Sequence, residues 1–178
     1  MLETERLVLR RWCDADRDSF ARLNADPEVM HYFPKTHDRK YSDTFIDKMQ
    51  EHLETHGYTL LACERKEEGD FIGFVGLLQQ TFEARFTPAV EVGWRLHKHT
   101  WGQGYATEAA KACLRWGFEE HLLDEIVSMT YIGNQPSIRV MQKIGMKYKM
   151  HFEHSKLPGH WLEKHILYTA HRVDWRAE

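Results

Sequence analysis

A glycine-rich turn that leads into a helix is the part of this sequence best suited to chemistry. The segment Trp101–Ala106 (WGQGYA) follows a short apolar run that begins at Glu91, and it precedes an alanine-rich stretch. The first backbone N–H groups of a helix lack intrahelical partners, and the helix dipole adds partial positive charge there. Glycine lets the backbone approach a ligand closely because it has no Cβ. This glycine turn therefore predicts a site for a phosphate-bearing cofactor.

Two common phosphate-binding motifs do not fit the glycine turn. A Walker loop, GxxxxGK[ST], needs a lysine followed by serine or threonine, and neither occurs in that register. A dinucleotide fingerprint, GxGxxG/A, would use Gly102 and Gly104 but meets Thr107 where a third small residue belongs. The residues His97–Trp101 also separate the predicted strand from the first glycine. An acyl-coenzyme A pyrophosphate remains as a ligand, and the alternative is a turn that binds nothing.

The composition is that of a globular protein without a strongly basic face. Its 178 residues suit one domain, residues 1–178, and 42% hydrophobic and 29% charged residues argue against disorder. The formal net charge is −3 and no block of Lys or Arg occurs, so nucleic-acid binding is not expected. The three cysteines are far apart and form no CxxC pair, and HExxH is absent. We therefore expect neither a disulfide framework nor a bound metal.

The charge and hydropathy patterns predict a cytoplasmic protein. Glu3, Glu5 and Arg6 lie where a signal peptide would have its apolar core. No apolar run approaches the ~20 residues that a membrane helix needs, so no membrane partner is expected.

Hydrophobic periodicity predicts an α/β (α+β) fold. Two-residue alternation indicates strands, and apolar residues three and four apart indicate helices. The predicted elements are strand Thr4–Trp12, helix Asp14–Asn24 with an acidic cap, helix Ser42–His56 ended by Gly57, strands Tyr58–Glu64, Phe71–Leu78 and Ala89–Leu96, helix Tyr105–His121, strand Ile126–Tyr131, a helix capped by Asn134 and ended by Gly145, and strands Met146–Phe152 and Leu162–Ala170. We also expect a bulge at Gly93. This order predicts a mixed, mostly antiparallel sheet of about seven strands flanked by four helices.

Several of these motifs together resemble the GNAT superfamily of N-acetyltransferases, and in particular its RimJ/RimL-like branch. WGQGYATEA is similar to the cofactor loop of that branch, TERLVLRRW to its first strand, and NQPSIRVMQKIGM to its second signature. The superfamily loop is Gln/Arg-x-x-Gly-x-Gly/Ala, which Gly104 and Ala106 match and Trp101 does not. Pyrophosphate is contacted by backbone N–H groups, so the departure at Trp101 leaves the expectation intact.

The resemblance implies acetyl-coenzyme A (acetyl-CoA) as cosubstrate and no metal. The strands Ala89–Leu96 and Ile126–Tyr131 would run parallel and splay apart, which leaves backbone groups free to pair with pantetheine amides. The N–H of Leu96 would hold the thioester carbonyl. The implied cofactor-binding residues are Trp94, Arg95, Leu96, Trp101, Gly102, Gln103, Gly104, Tyr105, Ala106, Thr107 and Asn134.

Two residues are candidates for proton transfer. An alkylammonium loses its proton near pH ~10, so a base is needed, and Glu91 is predicted to serve, directly or through a water. The alternative is that Glu91 only positions substrate or pairs with a base. Many superfamily members use a tyrosine as the acid at the position of Met141. Ser137 is predicted instead to donate a hydrogen bond to the departing sulfur, and the alternative for Ser137 and Asn134 is helix capping.

The expected reaction is direct transfer of an acetyl group to a primary amine, without a covalent enzyme intermediate. The amine partner would be a protein N-terminal α-amine or a small-molecule amine, and the enzyme would be a monomer or a homodimer. His31 and Tyr32 lie on a loop that borders the acceptor pocket in this superfamily, although aromatic residues that cover a core are the alternative. The other class of function considered is a non-catalytic acyl-CoA binding or sensing domain.

Overall fold

An eight-stranded mixed sheet runs through the protein in the computed structural model, which describes residues 1–175. The elements are β1 (Leu2–Glu3), β2 (Leu7–Arg10), α1 (Asp16–Ala25), α2 (Arg39–His56), β3 (Leu60–Arg65), β4 (Phe71–Gln80), β5 (Ala89–Leu96), α3 (Tyr105–Glu119), β6 (Glu125–Tyr131), α4 (Gln135–Lys143), β7 (Lys147–Glu153) and β8 (Lys164–His171). The strand order is β1-β2-β3-β4-β5-β6-β8-β7, with β5 and β6 parallel and the other neighbours antiparallel. The predicted mixed sheet and four helices are confirmed, and the short β1 makes the strands eight rather than about seven.

Each face of the sheet is covered by two helices. On one face α1 and α2 bury Phe20, Leu23 and Ile46 against aromatic residues of β4 and of the loop between β2 and α1. On the other face α3 and α4 bury small and apolar side chains against β4 and β5. An added Cβ at Gly117 of α3 would lie 2.6 Å from Ile126 Cδ1, so glycine sets how closely α3 lies on the sheet. Within residues 1–175, every helix is too short or too polar to span a membrane.

The helix ends follow the predicted signals in α2 and α4 but not in α1. Gly57 ends α2 with φ +78°, and Asn134 caps α4. The prediction that Asp14 caps α1 is wrong, because Ala15 occupies that position and makes no capping bond through its side chain. Asp16, the first helical residue, instead accepts from the backbone N–H of Cys13 at 2.9 Å.

The predicted bulge at Gly93 is also wrong. The β4–β5 register runs without a break from Gly73 opposite Leu96 to Gln80 opposite Ala89. The register shifts lie elsewhere, at Cys63/Glu64 in β3 and at Tyr148/Met150 in β7. Close packing requires glycine at two positions of β4, Gly73 and Gly76, where an added Cβ would lie 2.1 Å from the carbonyl oxygens of Arg95 and Thr59, respectively.

Candidate active site

A gap between β5 and β6 is the centre of the candidate site. Within the described residues, the pairing of these parallel strands is limited to Glu91 opposite Val127. Beyond that point the strands diverge, as predicted, and Ser128 Oγ reaches across to donate to the Val92 carbonyl at 2.9 Å. The sheet is therefore open over the second half of both strands.

The backbone hydrogen bonds between β4 and β5 determine which backbone groups of β5 face the gap. The N–H of His97 donates to the Ile72 carbonyl at 2.8 Å. Because antiparallel ladders alternate, Arg95 also pairs with β4, whereas the backbone groups of Trp94 and Leu96 point toward β6. The indole N–H of Trp101 donates a hydrogen bond to the Leu96 carbonyl at 2.9 Å. Within residues 1–175, the N–H of Leu96 and both backbone groups of Trp94 have no partner in β6, while the Trp94 side chain packs on the core.

The glycine turn ends in a helix start that has no cap. Gly102 and Gly104 have φ of +76° and +86°, a conformation that side chains with a Cβ disfavour. The first helical bond is Glu108 N–H to the Gly104 carbonyl at 3.0 Å, and among residues 1–175 no side chain caps this helix. The N–H groups of Tyr105, Ala106 and Thr107 thus lack helical partners, which fits the phosphates of coenzyme A.

A hydrogen-bonded network that sequence reasoning missed holds the glycine turn in place. Arg6 Nη1 donates to the Gln103 carbonyl at 3.0 Å, and Arg6 Nε donates to Glu108 Oε2 at 2.7 Å. Burial raises the pKa of Glu108, but hydrogen bonds from Thr4 and Arg6 outweigh it and hold that pKa below its usual range. Gln103 Nε2 also donates to the His99 carbonyl at 2.9 Å. These partners lie far apart in the sequence, so no local motif predicts them.

Glu91 stands where the sheet begins to open. Its half-buried carboxylate accepts from Gln80 Nε2 at 2.6 Å. Burial raises the pKa of Glu91 to about 7, against the opposing effects of Gln80 and the Met129 N–H. A carboxylate in this condition can take up a proton near neutral pH.

The start of α4 borders the same end of the gap. Since β5 and β6 are parallel, the helices that follow them begin at the same end of the sheet. Asn134 Oδ1 accepts from the Ser137 N–H at 3.3 Å, and Asn134 Nδ2 donates to Thr130 Oγ1 at 2.8 Å, so the capping role is present. The half-buried Ser137 hydroxyl has no hydrogen-bond partner within residues 1–175. Met141 is only 1% exposed and packs in the core.

Arg95 was predicted to bind the cofactor, but in the structure it is directed away from the gap between β5 and β6. Its backbone pairs with β4, and its side chain lies on the α1–α2 face of the sheet. Arg95 Nη1 donates to Asn24 Oδ1 at 2.6 Å, and Arg95 Cζ lies 4.0 Å from the centroid of the Phe33 ring. Neither part of Arg95 is directed at the gap.

Four aromatic side chains form an aromatic wall on the α1–α2 face: His31, Tyr32, Tyr131 and Trp161. Tyr32 stacks on Tyr131 at 6.1 Å between ring centroids, and Tyr131 meets the edge of Trp161 at 5.2 Å. Trp161 is 54% exposed. Tyr131 lies two residues beyond Met129 on the same face of β6, so the wall adjoins Glu91. His31 and Tyr32 were predicted acceptor contacts, whereas Tyr131 and Trp161 were missed because distant segments bring them together.

His154 and His165 form an aromatic cluster with Phe82 beside the β4–β5 connection. His154 stacks on Phe82 with ring centroids 4.4 Å apart, and His165 lies 5.0 Å from His154. Burial lowers the pKa of His154 to about 4, so its ring is neutral at physiological pH. Within residues 1–175, no group of three or more His, Cys, Asp or Glu side chains could hold a metal ion.

Comparisons with known proteins identify the class to which this fold and site belong. The family model described as acetyltransferase (GNAT) domain matches residues 6–147, which makes the protein an acyl-CoA-dependent transferase. The chain is 37% identical over 150 residues to the uncharacterized protein YkkB of Bacillus subtilis, covering 83% of this chain and 85% of that one. It is 28% identical over 177 residues to the uncharacterized N-acetyltransferase YnaD of Bacillus subtilis, with 98% of each covered.

A solved structure agrees with these matches. A GNAT-family acetyltransferase from Bacillus anthracis has a TM-score of 0.81 and 26% identity, covering 97% of this chain and 99% of that one. The chain belongs to the GNAT family of acetyltransferases, and it is an acetyl-CoA-dependent N-acetyltransferase. This membership favours an enzyme over a non-catalytic binding or sensing domain.

Proposed function

We propose that the protein transfers an acetyl group from acetyl-CoA directly to a primary amine, either a protein N-terminal α-amine, as in the RimJ/RimL-like branch, or a small-molecule amine. The observation that carries the proposal is Glu91, a half-buried carboxylate with a pKa raised to about 7 at the opening of the sheet. A proton acceptor at this place is what amine acetylation needs and what simple cofactor binding does not.

The chain's own groups bind and orient both substrates. The free N–H groups of Tyr105, Ala106 and Thr107 bind the pyrophosphate, and the backbone groups of Trp94 and Leu96 pair with the pantetheine arm. When bound, acetyl-CoA supplies an acetyl group activated as a thioester. The Leu96 N–H stabilises negative charge on its carbonyl oxygen. The amine approaches from the opposite face, along the aromatic wall.

Proton transfer is divided between two residues. Glu91 takes a proton from the ammonium, which costs about 4 kcal/mol for an amine with a pKa near ~10 and a base near 7. The apolar surface of the aromatic wall lowers that cost because desolvation disfavours the ammonium. Ser137, whose hydroxyl is free of partners within residues 1–175, donates a hydrogen bond to the departing sulfur.

Direct transfer is supported by the state of the cysteines. Cys63 and Cys113 are buried, and burial raises the pKa of both thiols well above the usual range. A thiol that stays protonated is a poor nucleophile. Cys13 is exposed and lies just before the start of α1, where its sulfur is 3.5 Å from Asp16 Oδ2.

The test is an acetyl-CoA-dependent screen of N-terminal peptides and small amines, with release of free thiol as the readout. Thiol release that depends on an added amine, together with an acetylated product seen by mass spectrometry, is the expected result. Slow hydrolysis of acetyl-CoA that no amine accelerates would contradict the proposal. Glu91→Gln provides the matched variant, because it should bind acetyl-CoA and lose amine-dependent release.

A further inference from the structure

A buried arginine without an acidic partner stands on the acceptor face of the sheet. Arg95 is 9% exposed, and within residues 1–175 it forms no ion pair. Its one hydrogen bond runs from Nη1 to Asn24 Oδ1 at 2.6 Å, and its buried Nε has no partner in that part of the chain. Burial lowers the pKa of Arg95 only to about 10, so the guanidinium is still charged at neutral pH.

The neighbours of Arg95 supply rings and neutral groups rather than negative charge. Its Cζ lies 4.0 Å from the Phe33 ring centroid and 5.3 Å from that of Phe74. The pKa of the nearby His37 ring lies below its usual range, first because the ring is partly buried and then because the positive charge of Arg95 is close to it. Cation–π contacts and one amide oxygen compensate a buried cation only in part, and buried charges are normally paired. The edge of the guanidinium formed by Nε and Nη2 has no hydrogen-bond partner within residues 1–175. This is an edge through which an arginine can bind a carboxylate by two parallel hydrogen bonds.

The position of Arg95 ties it to the proposed acetyl acceptor rather than to the cofactor. Glu91, Gly93 and Arg95 alternate onto one face of β5, and the Cα atoms of Glu91 and Arg95 are about 13 Å apart at ~3.3 Å per residue. Phe33 follows His31 and Tyr32 of the aromatic wall in the connection between α1 and α2. Arg95, Glu91 and the aromatic wall therefore lie on the same face of the sheet, the one from which the proposed amine approaches.

We propose that Arg95 binds a carboxylate of the acceptor, so that the substrate is an amine that also carries an acidic group. The carboxylate reaches the Nε and Nη2 edge by shifting the half-buried Phe33 ring, which lies on a connection without regular helix or strand. This inference rests on the proposed amine acetylation for the identity of the ligand. Binding of the acid itself requires no catalysis and is tested separately.

The test measures binding of product-like acids to the full chain in the presence of coenzyme A. N-acetylated ω-amino acids of increasing chain length are each compared with the matching neutral carboxamide by isothermal calorimetry. At least one length should bind about 10- to 100-fold more tightly as the carboxylate, which is the range of hydrogen bonds to a charged group. Arg95→Gln should abolish that preference, and Arg95→Lys should retain part of it, because lysine keeps the charge but not the fork. Arg115→Gln, at an exposed site on α3, is the matched control and should leave it unchanged.

A second variant keeps the test decisive if Arg95→Gln does not fold. Asn24→Asp places an acid beside Arg95, so it should raise the melting temperature and lower the preference for carboxylates. Equal binding of acids and carboxamides by the wild type, or no binding of any acid in the series, would overturn the proposal. A preference that survives Arg95→Gln would also overturn it and leave Arg95 a purely structural role. If acids bind through Arg95 but no amine is acetylated, the proposed function fails and the subsite stands.

Discussion

Replacing Glu91 by glutamine tests the proposed base most directly, because the amide keeps the size of the side chain but cannot accept a proton. We expect kcat/KM for the amine to fall about 100- to 10,000-fold near neutral pH, the usual contribution of a general base. In the wild type, kcat/KM should fall tenfold per pH unit below the pKa of Glu91, about 7, as the carboxylate is protonated. This limb should disappear in Glu91→Gln.

Glu91→Gln should also change the free energy of unfolding, by an amount that depends on pH. The pKa of Glu91 is raised from its ordinary value of 4.5 to about 7 in the folded protein. A raised carboxyl pKa means that the folded state loses stability as pH rises from 4.5 through 7, by about 3 kcal/mol at 1.36 kcal/mol per pKa unit. Glu91→Gln should therefore be more stable than the wild type at pH ~8, with the difference shrinking toward pH ~4.5.

The assay combines a pH series of kcat/KM, measured by thiol release, with urea unfolding at the same pH values. Glu51→Gln, at an exposed position of α2, is the matched control and should change neither quantity. An unchanged pH profile in Glu91→Gln would remove Glu91 from the mechanism. A variant less stable than the wild type at pH ~8 would show that burial of the charged carboxylate is not the cause of the raised pKa.

Three further substitutions separate cofactor binding, leaving-group protonation and acceptor binding. Ser137→Ala should lose turnover while calorimetry shows unchanged coenzyme A affinity, and wild-type turnover would refute the role of the hydroxyl. Gly104→Ala should raise KM for acetyl-CoA and destabilise the fold by about 1–2 kcal/mol, because φ is +86° there. Gly69→Ala, at φ +66°, should show a similar loss of stability in urea with KM unchanged, and an equal rise in KM would contradict the argument. Trp161→Ala should lower kcat/KM for the amine and leave KM for acetyl-CoA unchanged in steady-state assays, and the reverse pattern would place Trp161 at the cofactor.

Local patterns predicted most of the fold and indicated where a cofactor would bind. The glycine turn, the start of α4 at Asn134 and the end of α2 at Gly57 are short-range signals, because a few neighbouring residues determine a cap or a positive φ. The wrong expectation at Asp14 shows the limit of such signals: an acid near a helix start caps it only if other contacts leave its carboxylate free. Here the carboxylate of Asp14 is paired with Arg17, whose Nε lies 3.0 Å from Asp14 Oδ1.

The remaining residues of the proposed acceptor side could not be predicted, because distant segments bring them together. Tyr131 and Trp161 come from β6 and the β7–β8 connection, and neither carries a motif. Arg95 alternates in β5 like any strand residue, and only the structure shows that no acid reaches it within residues 1–175. The expectation at Gly93 failed because a glycine in a strand does not by itself mark a bulge, and in the described part of the chain an added Cβ there would meet only Leu60 Cδ2, at 3.8 Å.

Within residues 1–175, β5 and β6 pair only where Glu91 lies opposite Val127, so the sheet consists of two antiparallel blocks, β1–β5 and β6–β8, joined at that point. A cofactor that hydrogen-bonds in the gap touches one block through β5 and the other through the start of α4. It then acts as a missing length of strand, and its binding free energy adds to the cohesion between the blocks. Amide hydrogens of β6 and β8 should exchange more slowly when coenzyme A is bound, even though the bound ligand contacts few of them.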